Sequence, residues 1–286
     1  MNSKAVVVIP IYKDVPPPME CASIRQTFRV LGRHDIVFVT HRDCQLGEYE
    51  KIVRSEQGTM HTEFFDKGYF DSTAHYSDLC FSEDFYLRFK QYEYMLICQP
   101  DAWVFRDELD YWCSQGYDFI GAPIFFPYNK KHFTRIFYGV GNGGFCLRRI
   151  EHCLRIIRSN WHRIFLKPGI LAKIYWYGFL YNEEYTSNLL TRLGLFPLFI
   201  AKSLGFRNTI YQFRKTGCEE DMIFSLWAKH AWGMKCHVPD ELEAAHFSME
   251  VHPEYLYNKI GRQLPFGCHA FEKWEYESFW KKHIQF

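Results

Sequence analysis

The sequence predicts an α/β fold with a mostly parallel central sheet flanked by helices. Three observations carry this. Ala5 to Pro10 is a continuous β-branched run ended by proline, the pattern of a strand buried on both faces. Cys21, Ile24, Phe28 and Leu31 follow at helical spacing, and Asp35 to Thr40 is a second short strand, so the chain opens as a βαβ unit. The alternation resumes with the apolar strand Tyr94 to Cys98.

The remaining elements follow in chain order. Residues 42–80 are mixed and polar and read as loop and short helix. Ser82 can cap a helix with Glu83 and Asp84 in its first turn and Phe81, Phe85 and Phe89 as its stripe. Tyr94 to Cys98 runs straight into Gln99-Pro100-Asp101, and Tyr117 to Gly121 is the next strand. Gly141-Asn142-Gly143-Gly144 is too glycine-dense for a regular element; a strand Phe145 to Leu147 and a helix from about Ile150 follow it. Glu219-Glu220-Asp221 opens a helix striped by Ile223, Leu226, Trp227 and His230. No internal repeat or linker interrupts the 286 residues, a length ample for a sizeable core.

Composition narrows the function. Lys and Arg number 34 against 33 Asp and Glu, a net charge of +1, which argues against a nucleic-acid partner. Aromatics reach 19%, which suits a large core, a sugar-stacking surface or an interfacial belt and selects none of them. The ten cysteines show no C-x-x-C spacing and read as buried free thiols in a reducing compartment. Ala5 to Tyr12 is too short and proline-broken for a signal peptide, and no run of about 18 uncharged apolar residues exists to span a membrane. The expected location is the cytoplasm.

In parallel sheets ligands bind beyond the carboxyl ends of the strands, so chemistry is sought at Tyr12, Asp101, the 141–144 loop and the acids at 219–221. Asp101 either holds a divalent cation that grips a diphosphate or caps a turn. The glycine loop either lets backbone approach a ligand or is a tight turn; it matches neither G-x-G-x-x-G nor a Walker motif. The acidic trio either supplies a general base or complements a helix dipole. His269, in Pro265 to Phe271, is either a metal ligand or a structural histidine.

Together these stretches resemble the glycosyltransferases of GT-A fold and, more closely, the bacterial group DUF5672. The resemblance rests on Val6 to Tyr12, Tyr92 to Phe105, Trp112-Cys113, Tyr117 to Pro123, Gly141 to Arg148, Glu220 to Phe224 and Pro265 to Phe271. It covers residues 5–150 and 216–280. It implies one GT-A-like domain over 1–286, with a nucleotide-sugar half at 1–125 and an acceptor half at 126–286. An aromatic and basic insertion would occupy about 160–216. The Asp-x-Asp motif of such enzymes would fall on Gln99 to Asp101, with glutamine in place of the leading aspartate. Pro10, Tyr12, Gln99 and Asp101 would then bind the donor, and Asn142, Gly143 and Gly144 would form the donor and acceptor loop. Asp101 and His269 would hold Mn²⁺ or Mg²⁺, with His246 as a second candidate histidine.

The same resemblance makes Asp221, or Glu220, the base of an inverting transfer. The donor would be a nucleotide sugar, a UDP-sugar first, and the acceptor a glycan or lipid-linked glycan in surface polysaccharide or lipopolysaccharide synthesis. Gln99 favours a second reading, a nucleotide-sugar- or carbohydrate-binding protein without catalysis. A sugar-1-phosphate nucleotidyltransferase would want a glycine- and basic-rich loop where Pro10 to Asp14 stands. Residues 160–216 carry 13 aromatics, eight Lys or Arg and two acids, a local charge of +6 against −5 elsewhere. That segment either packs on the core or rests peripherally on the anionic inner face of a membrane.

Overall fold

A computed structural model describes residues 4–126, 134–159, 209–215 and 218–286, together with Lys167 and scattered residues between 193 and 201. The chain runs β1 (Ala5–Pro10), α1 (Pro18–Leu31), β2 (Asp35–His41), α2 (Gly47–Ser55), β3 (His61–Phe65), α3 (Thr73–Cys80), α4 (Glu83–Leu87) and β4 (Tyr94–Cys98). It continues with β5 (Ala102–Val104), α5 (Leu109–Ser114), β6 (Phe119–Ile120), β7 (Pro123–Phe125), β8 (Phe137–Val140), β9 (Phe145–Arg149) and α6 (Ile150–Arg158). Among the later elements are helices Glu220–Met222, Glu241–Phe247 and Pro253–Lys259 and the short strands β10 (Ser248–Met249) and β11 (Gly267–His269).

The central sheet has the order β3-β2-β1-β4-β9-β6. β3, β2, β1 and β4 are mutually parallel and β9 runs against its neighbours β4 and β6, so the sheet is mostly parallel, as expected. Alternate residues of β1 face opposite layers. Val6 and Val8 pack with Met95 and Ile97 against Leu79, Phe85, Tyr86 and Cys153, from α3, α4 and α6. Val7 and Ile9 pack with Leu96 against Ile24, Phe28, Ile52 and Trp112, from α1, α2 and α5. Burial on both faces is why β1 and β4 read as unbroken apolar runs.

Differences from the sequence reading are local. Residues 42–80 contain the short helices α2 and α3, as expected, and also the strand β3, which the reading of loop and short helix lacked. Tyr117 to Gly121 contributes only Phe119 and Ile120 to the sheet, because the Asp118 amide is taken by the carbonyl of His237. Ser82 caps α4 as expected, its Oγ accepting from the Phe85 amide. The helix that opens at Glu220 is capped from outside: its first amide donates to Ser77 Oγ of α3 at 3.0 Å. It then widens into a π turn over Ile223–Trp227. β9 lies beside β4, and β11 pairs with β5, so strands from 126–286 pair with strands from 1–125, the two halves expected of one domain over 1–286. All ten cysteines are free, and seven are buried. Most of residues 160–216, expected to form an insertion, lie outside the described residues. Among the described residues no helix is long and apolar enough to cross a membrane.

Candidate active site

Two strand pairings assemble the site. β9 begins where β4 ends, with Cys98 opposite Phe145, so the glycine loop arrives beside Gln99. The Gln99 amide donates to the Gly144 carbonyl at 2.9 Å. β5 pairs with β11 so that His269 lies opposite Ala102. That register sets His269 against Asp101, although the two lie 168 residues apart in sequence.

His269 Nε2 lies 3.1 Å from Asp101 Oδ1 and 3.1 Å from Gln99 Oε1. On the other side of the ring, Nδ1 lies 3.6 Å from Glu250 Oε1. Lys273 reaches the second Asp101 oxygen at 3.5 Å. Burial opposes the charge on Asp101, but His269 and Lys273 outweigh it and hold the carboxyl well below its usual range. Burial likewise opposes the imidazolium, yet Asp101 and Glu250 push His269 up to about 10. The carbonyl of His246 accepts from the Phe266 amide at 2.9 Å, which helps seat β11.

These donors suit a divalent cation. Two donors each about 2.0–2.4 Å from a six-coordinate cation lie about 3 Å apart, which is the spacing from Nε2 to each oxygen. One carboxylate, one amide oxygen and one imidazole nitrogen form a mixed oxygen and nitrogen set, compatible with Mn²⁺ or Mg²⁺.

The glycines of the loop make room for side chains of the site itself. A Cβ on Gly144 would overlap the His269 ring, and one on Gly141 would overlap Ser225 Oγ. At Gly143 it would sit 3.0 Å from Asp221 Oδ2. Gly141 also has φ +127°, a conformation that favours glycine. Asn142 braces the loop, its Oδ1 accepting from the Gly144 amide at 3.1 Å. The loop is therefore one wall shared by His269 and Asp221. Gly144→Ala should cost about 1–3 kcal/mol by overpacking. It should also displace the imidazole, seen as a lower unfolding temperature together with weaker Mn²⁺ binding.

Asp221 is buried, and its oxygens accept from the Gly143 amide at 2.8 Å and the Met222 amide at 2.6 Å. Burial raises its pKa well above the ordinary value, and Glu220 and Glu219 add to this; Arg148 and the Met222 amide oppose it. Glu220 faces the interior. Arg148 donates to Oε1 at 2.8 Å and Ser77 to Oε2 at 2.8 Å. Both ends of the ion pair are buried, so Glu220 anchors the helix start to β9 and α3. Arg148→Met would leave that carboxylate buried and unpaired, a loss of about 3–5 kcal/mol in denaturant unfolding. A loss below about 1 kcal/mol would contradict this anchoring role.

Of the other predicted residues, Pro10 is buried as the last residue of β1, and Tyr12 is 56% exposed just beyond it. Lys13 stacks its ammonium over the Tyr12 ring at 5.4 Å and feels the charge of Asp101. Tyr12 thus stands on the Asp101 side of the sheet. Sequence reasoning missed Glu250, Lys273 and Ser77, which lie outside every stretch singled out, and Arg148, which ends one of them. It also missed a second cluster, Asp118, His152 and Cys236, whose ligand atoms lie within 4.8 Å of one another. There His152 Nε2 bonds the Phe224 carbonyl at 2.8 Å, and Nδ1 accepts from Arg155 at 2.9 Å. Both ring nitrogens are thereby engaged, and the cluster braces the π turn that follows Asp221.

No curated protein matches the sequence. Among solved structures, core-mannan synthase A from Aspergillus fumigatus in a Mn/GDP form aligns with a TM-score of 0.40 at 11% identity, covering 64% of this chain and 67% of that one. A glycosyltransferase involved in glycosylation of the major capsid of PBCV-1 aligns with a TM-score of 0.38 at 10% identity, covering 98% of each chain. A197 from STIV aligns with a TM-score of 0.30 at 14% identity, covering 56% and 71%. The family described as "Protein of unknown function (DUF5672)" matches residues 59–269, well over half of the sequence, and the chain belongs to that family.

Proposed function

We propose that the protein is a glycosyltransferase that moves a sugar from a nucleotide-sugar donor to a hydroxyl of a glycan or lipid-linked glycan. One observation carries the reading: Asp101, Gln99 and His269 converge at the carboxyl end of β4, across one glycine loop from the buried carboxylate of Asp221. The GT-A resemblance of the sequence motifs supports the same assignment.

Asp101 and His269 would hold Mn²⁺ or Mg²⁺, with Gln99 as a neutral oxygen donor. When bound, such an ion neutralises charge that grows on a leaving diphosphate. Tyr12 offers an exposed ring where the base of a nucleotide can stack. Asp221 is the proposed base. It would take the proton of the acceptor hydroxyl as oxygen bonds to the anomeric carbon and the bond to the diphosphate breaks. Attack opposite the leaving group inverts the anomeric centre. A raised pKa suits a base that must accept a proton near neutral pH. Glu220 holds the helix that carries Asp221.

Calorimetric titration with UDP and GDP, with Mn²⁺ present, tests the donor side. Saturable binding of UDP is expected, and absence of binding by any nucleoside diphosphate would overturn the reading. A UDP-sugar that binds but is never cleaved would favour the binding-protein alternative, to which the neutral Gln99 points.

Acceptor placement is the remaining element. Leu193, Phe196 and Ile200 are exposed at helical spacing inside the basic segment 160–216. A lipid-linked acceptor would be reached if this segment rests on an anionic surface, where each Lys or Arg contributes about 1 kcal/mol. Flotation with anionic vesicles at low salt, and release at high salt, is the expected result. Recovery in the soluble fraction with both anionic and neutral vesicles would return the segment to a core-packing or acceptor-binding role.

A further inference from the structure

Glu250 follows β10, whose register with β11 sets Met249 opposite Cys268, so Glu250 stands beside His269. Its carboxylate is 3.6 Å from His269 Nδ1. That nitrogen is buried and has no hydrogen-bond partner among the described residues. The opposite nitrogen, Nε2, faces the oxygens of Gln99 and Asp101. An imidazole that ligates through one nitrogen is commonly oriented by an acceptor on the other, which fixes the proton and aims the lone pair. The donor set itself carries a single negative charge, on Asp101, because Gln99 is neutral. A divalent cation there needs a second charge close by.

We propose that Glu250 is a positioning residue for the cation site. Its carboxylate accepts the Nδ1 proton of His269, turns Nε2 toward the cation shared with Asp101, and supplies the negative charge that Gln99 does not. The inference rests on the reading of Asp101 and His269 as cation ligands.

Mn²⁺ titration of the full chain without nucleotide, followed by the electron paramagnetic resonance of free Mn²⁺, tests it. Glu250→Ala removes both acceptor and charge and should weaken binding about 10–100-fold. Glu250→Gln keeps an oxygen for Nδ1 and loses only the charge, so its loss should be smaller. Gln99→Asp added to Glu250→Gln restores the missing charge at the cation and should recover most of the affinity, a rescue that a purely packing role would not show. Wild-type affinity in Glu250→Ala, or no recovery in the double variant, would overturn the role of Glu250. If Asp101→Asn and His269→Ala lose Mn²⁺ while Glu250→Ala keeps it, only Glu250 is removed from the account. If all three bind like wild type, or the wild type binds no Mn²⁺, the cation reading falls and this inference with it.

Discussion

Asp221→Asn should lower turnover by about 10²–10⁴ while nucleotide affinity stays nearly unchanged. The change is close to isosteric, so the difference lies in proton chemistry and hydrogen bonding. An amide cannot take a proton from an acceptor hydroxyl under these conditions. It also has one acceptor oxygen where Asp221 has two, and both of those now receive backbone amides, from Gly143 and Met222. One of these amides would be left unsatisfied, a stability loss of about 1–3 kcal/mol separable by thermal unfolding. Full turnover in the folded variant would remove Asp221 from the mechanism. Equal loss of nucleotide affinity and turnover would instead mark it as a brace for the glycine loop. The anomeric configuration of the product tests inversion independently.

Asp101→Asn should abolish metal-dependent nucleotide binding, a loss of at least about 100-fold, since even partners of a metal ligand cost 10–100-fold when removed. Among the described residues Asp101 is the only carboxylate directly facing His269 Nε2, and it also meets Lys273. The amide removes the charge that attracts a cation and leaves Lys273 without the carboxylate it now meets. His269→Ala should show a smaller loss, and His246→Ala none. Unchanged nucleotide binding in Asp101→Asn, measured by equilibrium dialysis with Mn²⁺, would sink the assignment.

How much of this was legible in the sequence depends on the range of the contacts involved. β1, α1, β2 and β4 could be read because sheet burial leaves long apolar runs and helix burial leaves a stripe. Asp101 could be read because it is the first charge after such a run. The small sheet of β5, β10 and β11 could not, since strands of two or three residues carry no period. Yet that sheet brings His269 to Asp101 and Glu250 to His269; only the family resemblance pointed to His269. The glycine loop was legible as a close approach, but its partners, Ser225, Asp221 and His269, come from distant segments. Glu220 and Asp221 are adjacent in sequence and look interchangeable as bases. Their difference arises from Arg148 and Ser77, which engage Glu220 from β9 and α3. The π turn after Asp221 leaves no mark in the apolar stripe.

The measurement that tests the central claim most directly is nucleoside diphosphate release from a panel of nucleotide sugars. The full chain would be incubated with each donor, once with Mn²⁺ and once with a chelator. Slow release from at least one UDP-sugar, with Mn²⁺ only, is the predicted result. No release from any donor, or the same release in chelator, would contradict the account.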